Sequence, residues 1–273
     1  MTMGRVIFIS AGPGAADLIT LRGARRLAEA QVVLFDALTD PALRALAPQA
    51  LWLDVGKRGF CNSTGQATID ALLVRHAREC ETVVRLKGGD ASVFGRLEEE
   101  LQALDAAGIA CEVVPGVTAA VAAAAHTQRP LTRRGSVGAG GKGSAAGRSV
   151  SLTTAMTRQG RLHAGRHADT EVFYMAGRQL GALGRTLLQA GWPADTPVCV
   201  VSRAGWPDAL ASDHELAGLA GAALLHAGRP TVVTVGAGAA AVTPAPLAGV
   251  RHGAEPTAAG RAGTAANAAA TAA

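Results

Sequence analysis

An α/β fold with largely parallel strands is what this sequence predicts, on three observations. Short β-branched runs alternate with stretches whose apolar residues recur every 3.6 positions. Several of those runs end in glycine-bearing turns that lead into helices, the place where open α/β sheets bind ligands. Apolar residues fill 49% of the 273 positions but aromatics only 3%, so a substantial core must be assembled from Ala, Val and Leu. Strands are expected at residues 6–9, 32–35, 50–55, 82–86 and 110–114, and then at 171–175, 198–201 and 231–235. Helical periodicity covers 18–30, 64–79, 97–107, 118–126 and 179–190.

Composition breaks divide the chain. Residues 134–148, "RGSVGAGGKGSAAGR", offer almost no apolar surface and are expected to form a flexible loop. From 239 onward the chain is Ala, Gly, Thr and Pro without periodic large apolar residues, and disorder is expected there. The expected organisation is an α/β domain over 1–115, a second over 116–238, and a tail over 239–273.

The formal net charge is +5, which suits an anionic ligand or nucleic acid as well as an ordinary surface. Cys61, Cys80, Cys111 and Cys199 form no C-x-x-C pair and no zinc spacing, so no metal site is expected. Scattered thiols fit a reducing compartment. The apolar run of residues 6–9 is too short for a signal peptide or a membrane span. The expectation is a soluble cytoplasmic protein.

The first glycine turn, Gly12-Pro13-Gly14, begins like the dinucleotide fingerprint, but Asp17 stands where the third glycine belongs. A carboxylate there repels pyrophosphate, and Pro13 removes an amide donor. Asp36, at the end of the second strand, sits where a ribose-binding acid would be, which keeps a nicotinamide-dependent oxidoreductase as the alternative from a different class. The second turn, Lys87-Gly88-Gly89-Asp90, brings backbone close to something small and flat, or is a tight turn with a capping Asp. The third, Pro115-Gly116-Val117-Thr118-Ala119, offers Thr118 as a helix N-cap.

The segments "AGPGAADLITLRGARRLAEAQVVLFDALT", "DVGKR", "VVRLKGGDASVFGRLEEE", "VVPGVTAA", "RPLTRR", "VFYMAG" and "GWPADTPVCVVSRAGWPD" follow one another in an order that resembles the tetrapyrrole methylase family. The resemblance runs from residue 4 to about 236 and implies two α/β domains with S-adenosylmethionine in the cleft between them. It implies that Pro13, Gly88, Gly89, Asp90, Val93, Thr118, Ala119, Met175 and Ala204 line the cofactor pocket. Asp36 would be the proton acceptor and Lys57 the proton donor. The implied activity is C-methylation of uroporphyrinogen III at two ring positions to give precorrin-2, for siroheme or cobalamin synthesis, by a homodimer. That substrate carries eight carboxylates, for which Arg58, Arg85, Lys87, Arg96, Arg129, Arg133 and Arg134 are the expected partners. Nucleic acid and membrane are not expected as partners.

The chain departs from the family pattern in places. Ala91 and Ser92 replace a proline and an aromatic, Gln128 and Arg129 replace Gly and Ile, Arg133 replaces His, and Ser202-Arg203-Ala204 replaces an acidic-Asn-Gly stretch. If the glycine replaced by Gln128 has positive φ, Gln128 is strained. These changes bear on specificity and leave another corrin methylase, an RNA methylase of the same fold, and a catalytically impaired relative as alternatives. No stretch remains for a second, dehydrogenase-ferrochelatase module, so methyl transfer alone is expected.

Overall fold

The computed structural model describes residues 4–56, 65–134, 147–156, 162 and 164–242. Most of the expected loop at 134–148 and the expected tail from 243 lie outside the described residues.

The first half is built from β1 (Arg5–Ser10), α1 (Leu21–Ala28), β2 (Val32–Phe35), β3 (Leu51–Asp54), α2 (Gln66–Glu79), β4 (Thr82–Lys87), α3 (Leu97–Ala106) and β5 (Ala110–Val114). Its sheet has the order β3-β2-β4-β1-β5, with every pairing parallel. Both faces are covered, so alternate residues of one strand enter two different cores. Val6, Phe8, Val32, Leu34 and Val83 pack with Ile69, Leu73 and Leu104 of α2 and α3. Ile7, Ile9, Val33, Val84 and Leu86 pack on the opposite face with Leu27 of α1. The helix expected at 18–30 is in fact two pieces, a 3₁₀ turn at Ala16–Leu18 and then α1. The Thr20 hydroxyl accepts the Gly23 N–H at 3.0 Å, which starts α1 later than its apolar period suggests.

The second half follows as α4 (Ala119–His126), β6 (Val150–Thr154), β7 (Thr170–Tyr174), α5 (Leu180–Gln189), β8 (Pro197–Ser202), β9 (Leu210–Glu215), α6 (Ala222–Leu225) and β10 (Thr231–Gly236). The sheet order is β6-β7-β10-β8-β9. Here the expectation of largely parallel pairing fails: only β6–β7 is parallel, and β7–β10, β10–β8 and β8–β9 are antiparallel. The reason is connection length. The short link from Ser202 to Leu210 folds β9 directly back on β8, whereas a parallel partner needs a crossover of a dozen residues or more.

By packing, α4 belongs to this second sheet, because Ala120, Ala122 and Ala123 join Val172, Tyr174, Val201 and Val232 in one core. The expected disorder from residue 239 is also corrected at its start: Ala239 closes a 3₁₀ turn and is buried in that core. Residues 4–242 belong to one compact unit. Among the described residues, no helix is long and apolar enough to cross a membrane.

Candidate functional site

The three glycine turns at the strand tips of the first sheet are sutured together. Gly12 and Gly89 exchange backbone hydrogen bonds, at 3.1 Å from the Gly12 N–H and 2.7 Å from the Gly89 N–H. Gly12 has φ +82°, and a Cβ there would come within 2.9 Å of Leu18. Asp90 ties the second turn to the third. Its Oδ2 accepts the Gly116 N–H at 2.8 Å, while its Oδ1 accepts the Ser92 N–H at 2.9 Å and the Ser92 hydroxyl. Burial pushes the Asp90 carboxyl up, but these hydrogen bonds outweigh it and hold it below the usual carboxylate value.

The second half reaches the same rim. A Cβ on Gly14 would lie 2.3 Å from the backbone of Gly205, so only glycine permits that approach, and the Ala15 N–H donates to the Gly205 carbonyl at 2.8 Å. Tyr174, at the end of β7, places its Oη 2.7 Å from Thr118 Oγ1 and its ring 5.1 Å from that of Phe94. Burial raises the Tyr174 hydroxyl above its ordinary value. Thr118 does occupy the N-cap of α4, but it makes no side-chain capping bond, because Tyr174 engages its hydroxyl.

Between these elements lies a cavity of about 240 Å³. All nine residues expected from the resemblance line it: Pro13, Gly88, Gly89, Asp90 and Val93 from the first half, Thr118 and Ala119 at the start of α4, and Met175 and Ala204 from the second sheet. A Cβ at Gly89 would meet no protein atom within 4 Å, so its absence leaves space to the cavity. The sequence reading missed Leu38, Phe94, Tyr174, Arg203, Trp206 and the stretch Pro230, Thr231 and Val232, which also line it. Phe94, Met175 and Arg203 hold left-handed φ of +55°, +58° and +52°. Non-glycine residues in that region cost of order 1–3 kcal/mol each and cluster where ligands are clamped.

The first turn offers a pyrophosphate few donors. Pro13 has no N–H, and the amides of Gly12, Ala15 and Ala16 are spent on Gly89, Gly205 and Asp40. The cation on the cavity wall, Arg203, is paired with Asp208 at 2.8 Å and stacked 4.5 Å over Trp206. What the arrangement offers is an apolar slot edged by carbonyls, a carboxylate and aromatic rings, which suits an uncharged or cationic ligand.

Asp36 lies at the tip of β2, outside the cavity wall but two residues from Leu38, which lines it. Its N–H donates to the Leu86 carbonyl at 3.2 Å, and Arg85 Nη2 donates to its Oδ1 at 2.6 Å. Lys57 and Arg58 lie outside the described residues. The expectation that Arg85 and Lys87 face a polyanionic ligand is corrected: both are 2% exposed, and both donate to the buried carboxylate of Glu100. Arg96 is half-exposed, at φ +55°, and forks onto Glu99 at 2.9 and 2.5 Å. Arg129 holds Asp213 at 2.6 Å, and Arg133 donates to the Ala240 carbonyl, whereas Arg134 is exposed. Among the described residues, no group of three His, Cys, Asp or Glu is placed to hold a metal ion.

Known proteins are similar to this chain in sequence and fold. Uroporphyrinogen-III C-methyltransferase of Pseudomonas aeruginosa is 38% identical over 242 residues, 85% of this chain and 93% of the relative. The siroheme synthase of Edwardsiella ictaluri is 41% identical over 206 residues, 74% of this chain but only 42% of that longer protein. The crystal structure of uroporphyrin-III C-methyltransferase from Thermus thermophilus, complexed with S-adenyl homocysteine, matches with a TM-score of 0.72 at 34% identity, covering 85% of this chain and 97% of that one. Residues 5–220 match the tetrapyrrole (corrin/porphyrin) methylases. With those residues spanning most of the chain and carrying every glycine turn of the cavity rim, the chain belongs to the tetrapyrrole methylase family.

Proposed function

We propose that this protein transfers methyl groups from S-adenosylmethionine to carbon atoms of uroporphyrinogen III, giving precorrin-2. One observation carries the reading: a single cavity gathers Pro13, Gly88, Gly89, Asp90, Val93, Thr118, Ala119, Met175 and Ala204, while in the first turn Pro13 has no N–H and the amides of Gly12, Ala15 and Ala16 are bonded within the protein. The likeness to the Pseudomonas aeruginosa and Thermus thermophilus enzymes supports it.

When bound, S-adenosylmethionine supplies an electrophilic methyl on a sulfonium centre. The rest falls to this chain. The glycine turns expose carbonyls without side chains in the way, and polarised C–H groups lean on such carbonyls. The fixed rim orients the two reactants, which is where most of the rate enhancement of a direct transfer arises. C-methylation leaves a cationic ring that must lose a proton, and Asp36 is the acceptor in this reading. Lys57, in the segment after β3, is the donor. Arg58, Arg96 and Arg134 are the remaining candidates for the substrate's carboxylates. The same reading includes a homodimer in the cytoplasm.

Mass spectrometry after anaerobic incubation with uroporphyrinogen III and S-adenosylmethionine should show a gain of two methyl groups, and calorimetry should show binding of S-adenosylhomocysteine but not of NAD⁺. Binding of S-adenosylhomocysteine without any mass gain would leave the cofactor assignment standing and overturn the reaction.

A further inference from the structure

The face of the first sheet covered by α2 and α3 hides a chain of charges that the cavity does not touch. Along β4, Val83, Arg85 and Lys87 share that face at the two-residue period of a strand. Glu100 of α3 is fully buried opposite them. Its carboxylate accepts from Lys87 Nζ at 2.9 Å on each oxygen, from Arg85 Nε at 3.2 Å and from Gln66 Nε2 at 3.3 Å. The other side of the Arg85 guanidinium points back toward the strand tips. Nη1 donates to the carbonyls of Leu34 at 3.3 Å and Leu86 at 3.2 Å, and Nη2 donates to Asp36 at 2.6 Å. Lys87, Glu100, Arg85 and Asp36 thus alternate in sign along the row of contacts, and their formal charges cancel.

The geometry points to Arg85 as a positioning residue for Asp36, with Glu100 as the group that aims Arg85. The inference rests on the reading of Asp36 as the proton acceptor. Four of the five guanidinium N–H groups are committed inside the protein, so Arg85 has little left for a substrate. Its planar fork holds Glu100 along one edge and Asp36 along the other, which an ammonium cannot do. The Asp36 backbone is fixed too, since its N–H meets the Leu86 carbonyl and its own carbonyl accepts the Thr39 hydroxyl at 2.7 Å. With Oδ1 taken by Arg85, Oδ2 has no hydrogen bond among the described residues and is the oxygen available to receive a proton.

Arg85→Met is the decisive variant. It leaves Lys87 and Glu100 as a balanced buried pair and Asp36 in contact with water, so no charge is stranded. Steady-state kinetics of the full chain should show kcat lowered about 100-fold, the scale that a misplaced group costs. The KM for uroporphyrinogen III and the Kd for S-adenosylhomocysteine should move less than about threefold. Arg85→Lys should recover about tenfold of the loss, because an ammonium keeps one carboxylate partner. Adding Arg85→Met to Asp36→Asn should cost nothing beyond Asp36→Asn alone.

A raised KM with unchanged kcat would return Arg85 to the substrate and overturn the inference. Should the methionine variant not fold, Arg85→Lys decides on the same split, with an unchanged kcat overturning the proposal. Asp36→Asn separates the two readings. If it is inactive while Arg85→Met turns over normally, only the role of Arg85 falls. If Asp36→Asn turns over normally, the proton-acceptor reading falls and takes this inference with it.

Discussion

Each sheet encloses a chain of buried polar groups, and the two chains differ in charge. The first encloses a chain of full charges, Lys87, Glu100 and Arg85, that emerges at Asp36. The second encloses a chain without a carboxylate. There Thr231 Oγ1 donates to the Arg229 carbonyl at 2.8 Å and so accepts from Ser202 at 2.9 Å. Ser202, its proton spent, accepts from Nδ1 of His226 at 2.6 Å. Nε2 of the neutral ring then accepts a hydrogen bond from the Ser212 hydroxyl at 2.8 Å, and Ser212 accepts from His214 Nε2 at 2.7 Å. One terminal carbonyl fixes every proton in the row and selects the Nδ1–H tautomer of His226. The difference teaches what a buried charge requires: Glu100 meets cations, Glu171 of β7 meets the N–H groups of His167 at 2.5 Å and Ala168 at 2.8 Å, and the row behind Thr231, which ends on a carbonyl, carries no charge.

The largest effect expected from breaking this contrast is in the charged half. Glu100→Ala leaves Arg85 and Lys87 as buried cations with only Asp36 to balance them. Removing one partner of a buried ion network costs about 3–5 kcal/mol. Ser202→Ala, which deletes the middle of the neutral chain, should cost about 1–3 kcal/mol, the desolvation of the partners it leaves unpaired. Urea unfolding of the two variants checks the ranking. Equal losses would mean that Glu100 is not the hub of the charged chain.

Much of the first half was legible because its chemistry coincides with its pattern. Strands buried on both faces read as apolar runs, and glycines at their ends mark turns, whereas the cavity's nine expected residues came from the family resemblance and four of them belong to the start of α4 and the second sheet. The second half was harder. β6 and β9 are edge strands, "VSLTT" and "LASDHE", whose polar residues blunt the pattern, and with β9 unseen the antiparallel pairings were invisible. Tyr174 and Trp206 lie inside the quoted segments "VFYMAG" and "GWPADTPVCVVSRAGWPD", but only the meeting of distant segments gives them a role. Arg85 and Lys87 were misplaced for a reason that the sequence does contain. In "TVVRLK" they share a period-two face with Val83, and in a sheet covered on both sides that face is interior.

A pH series probes the neutral chain next. Burial lowers the basicity of the His226 ring, and His214 and Arg229 push the same way. Arg229 is itself paired with Asp208, so no carboxylate compensates inside the chain. The sign follows: with the folded value below the ordinary one of about 6.5, the unfolded chain takes up the proton first as pH falls. Stability is therefore full above about pH 6.5 and is lost below it, by at most about 1.4 kcal/mol per pH unit for each such histidine. His76, in the first half, is lowered by burial and by Arg75 and adds to the slope. Thermal unfolding between pH 7.5 and 5.5 should show the decline, and His226→Gln should flatten it while lowering stability at pH 7.5. An undiminished slope in that variant would place the titration elsewhere and sink the neutral-chain account.

The smallest effect belongs to the join between the halves. After α4 the chain reverses at Gln128, whose φ is +54°. The reversal is a helix C-terminus of the left-handed type, with the Gln128 N–H on the Ala125 carbonyl at 3.1 Å and the Arg129 N–H on the Ala124 carbonyl at 2.9 Å. A side chain with a Cβ costs about 1–2 kcal/mol in that conformation. Glycine removes that strain but returns some entropy to the unfolded chain, so Gln128→Gly should stabilise by about 0.5–1 kcal/mol and raise Tm by about 2 °C. Phe94, Met175 and Arg203 share the same backbone region, but their side chains line the cavity, so glycine there would remove contacts as well as strain. Gln128 is exposed and lines nothing, which makes it the clean measure of what a left-handed residue costs this fold. If Gln128→Gly lowers Tm instead, the reversal is held by the glutamine side chain, and the strain assigned to the three cavity residues loses its reference.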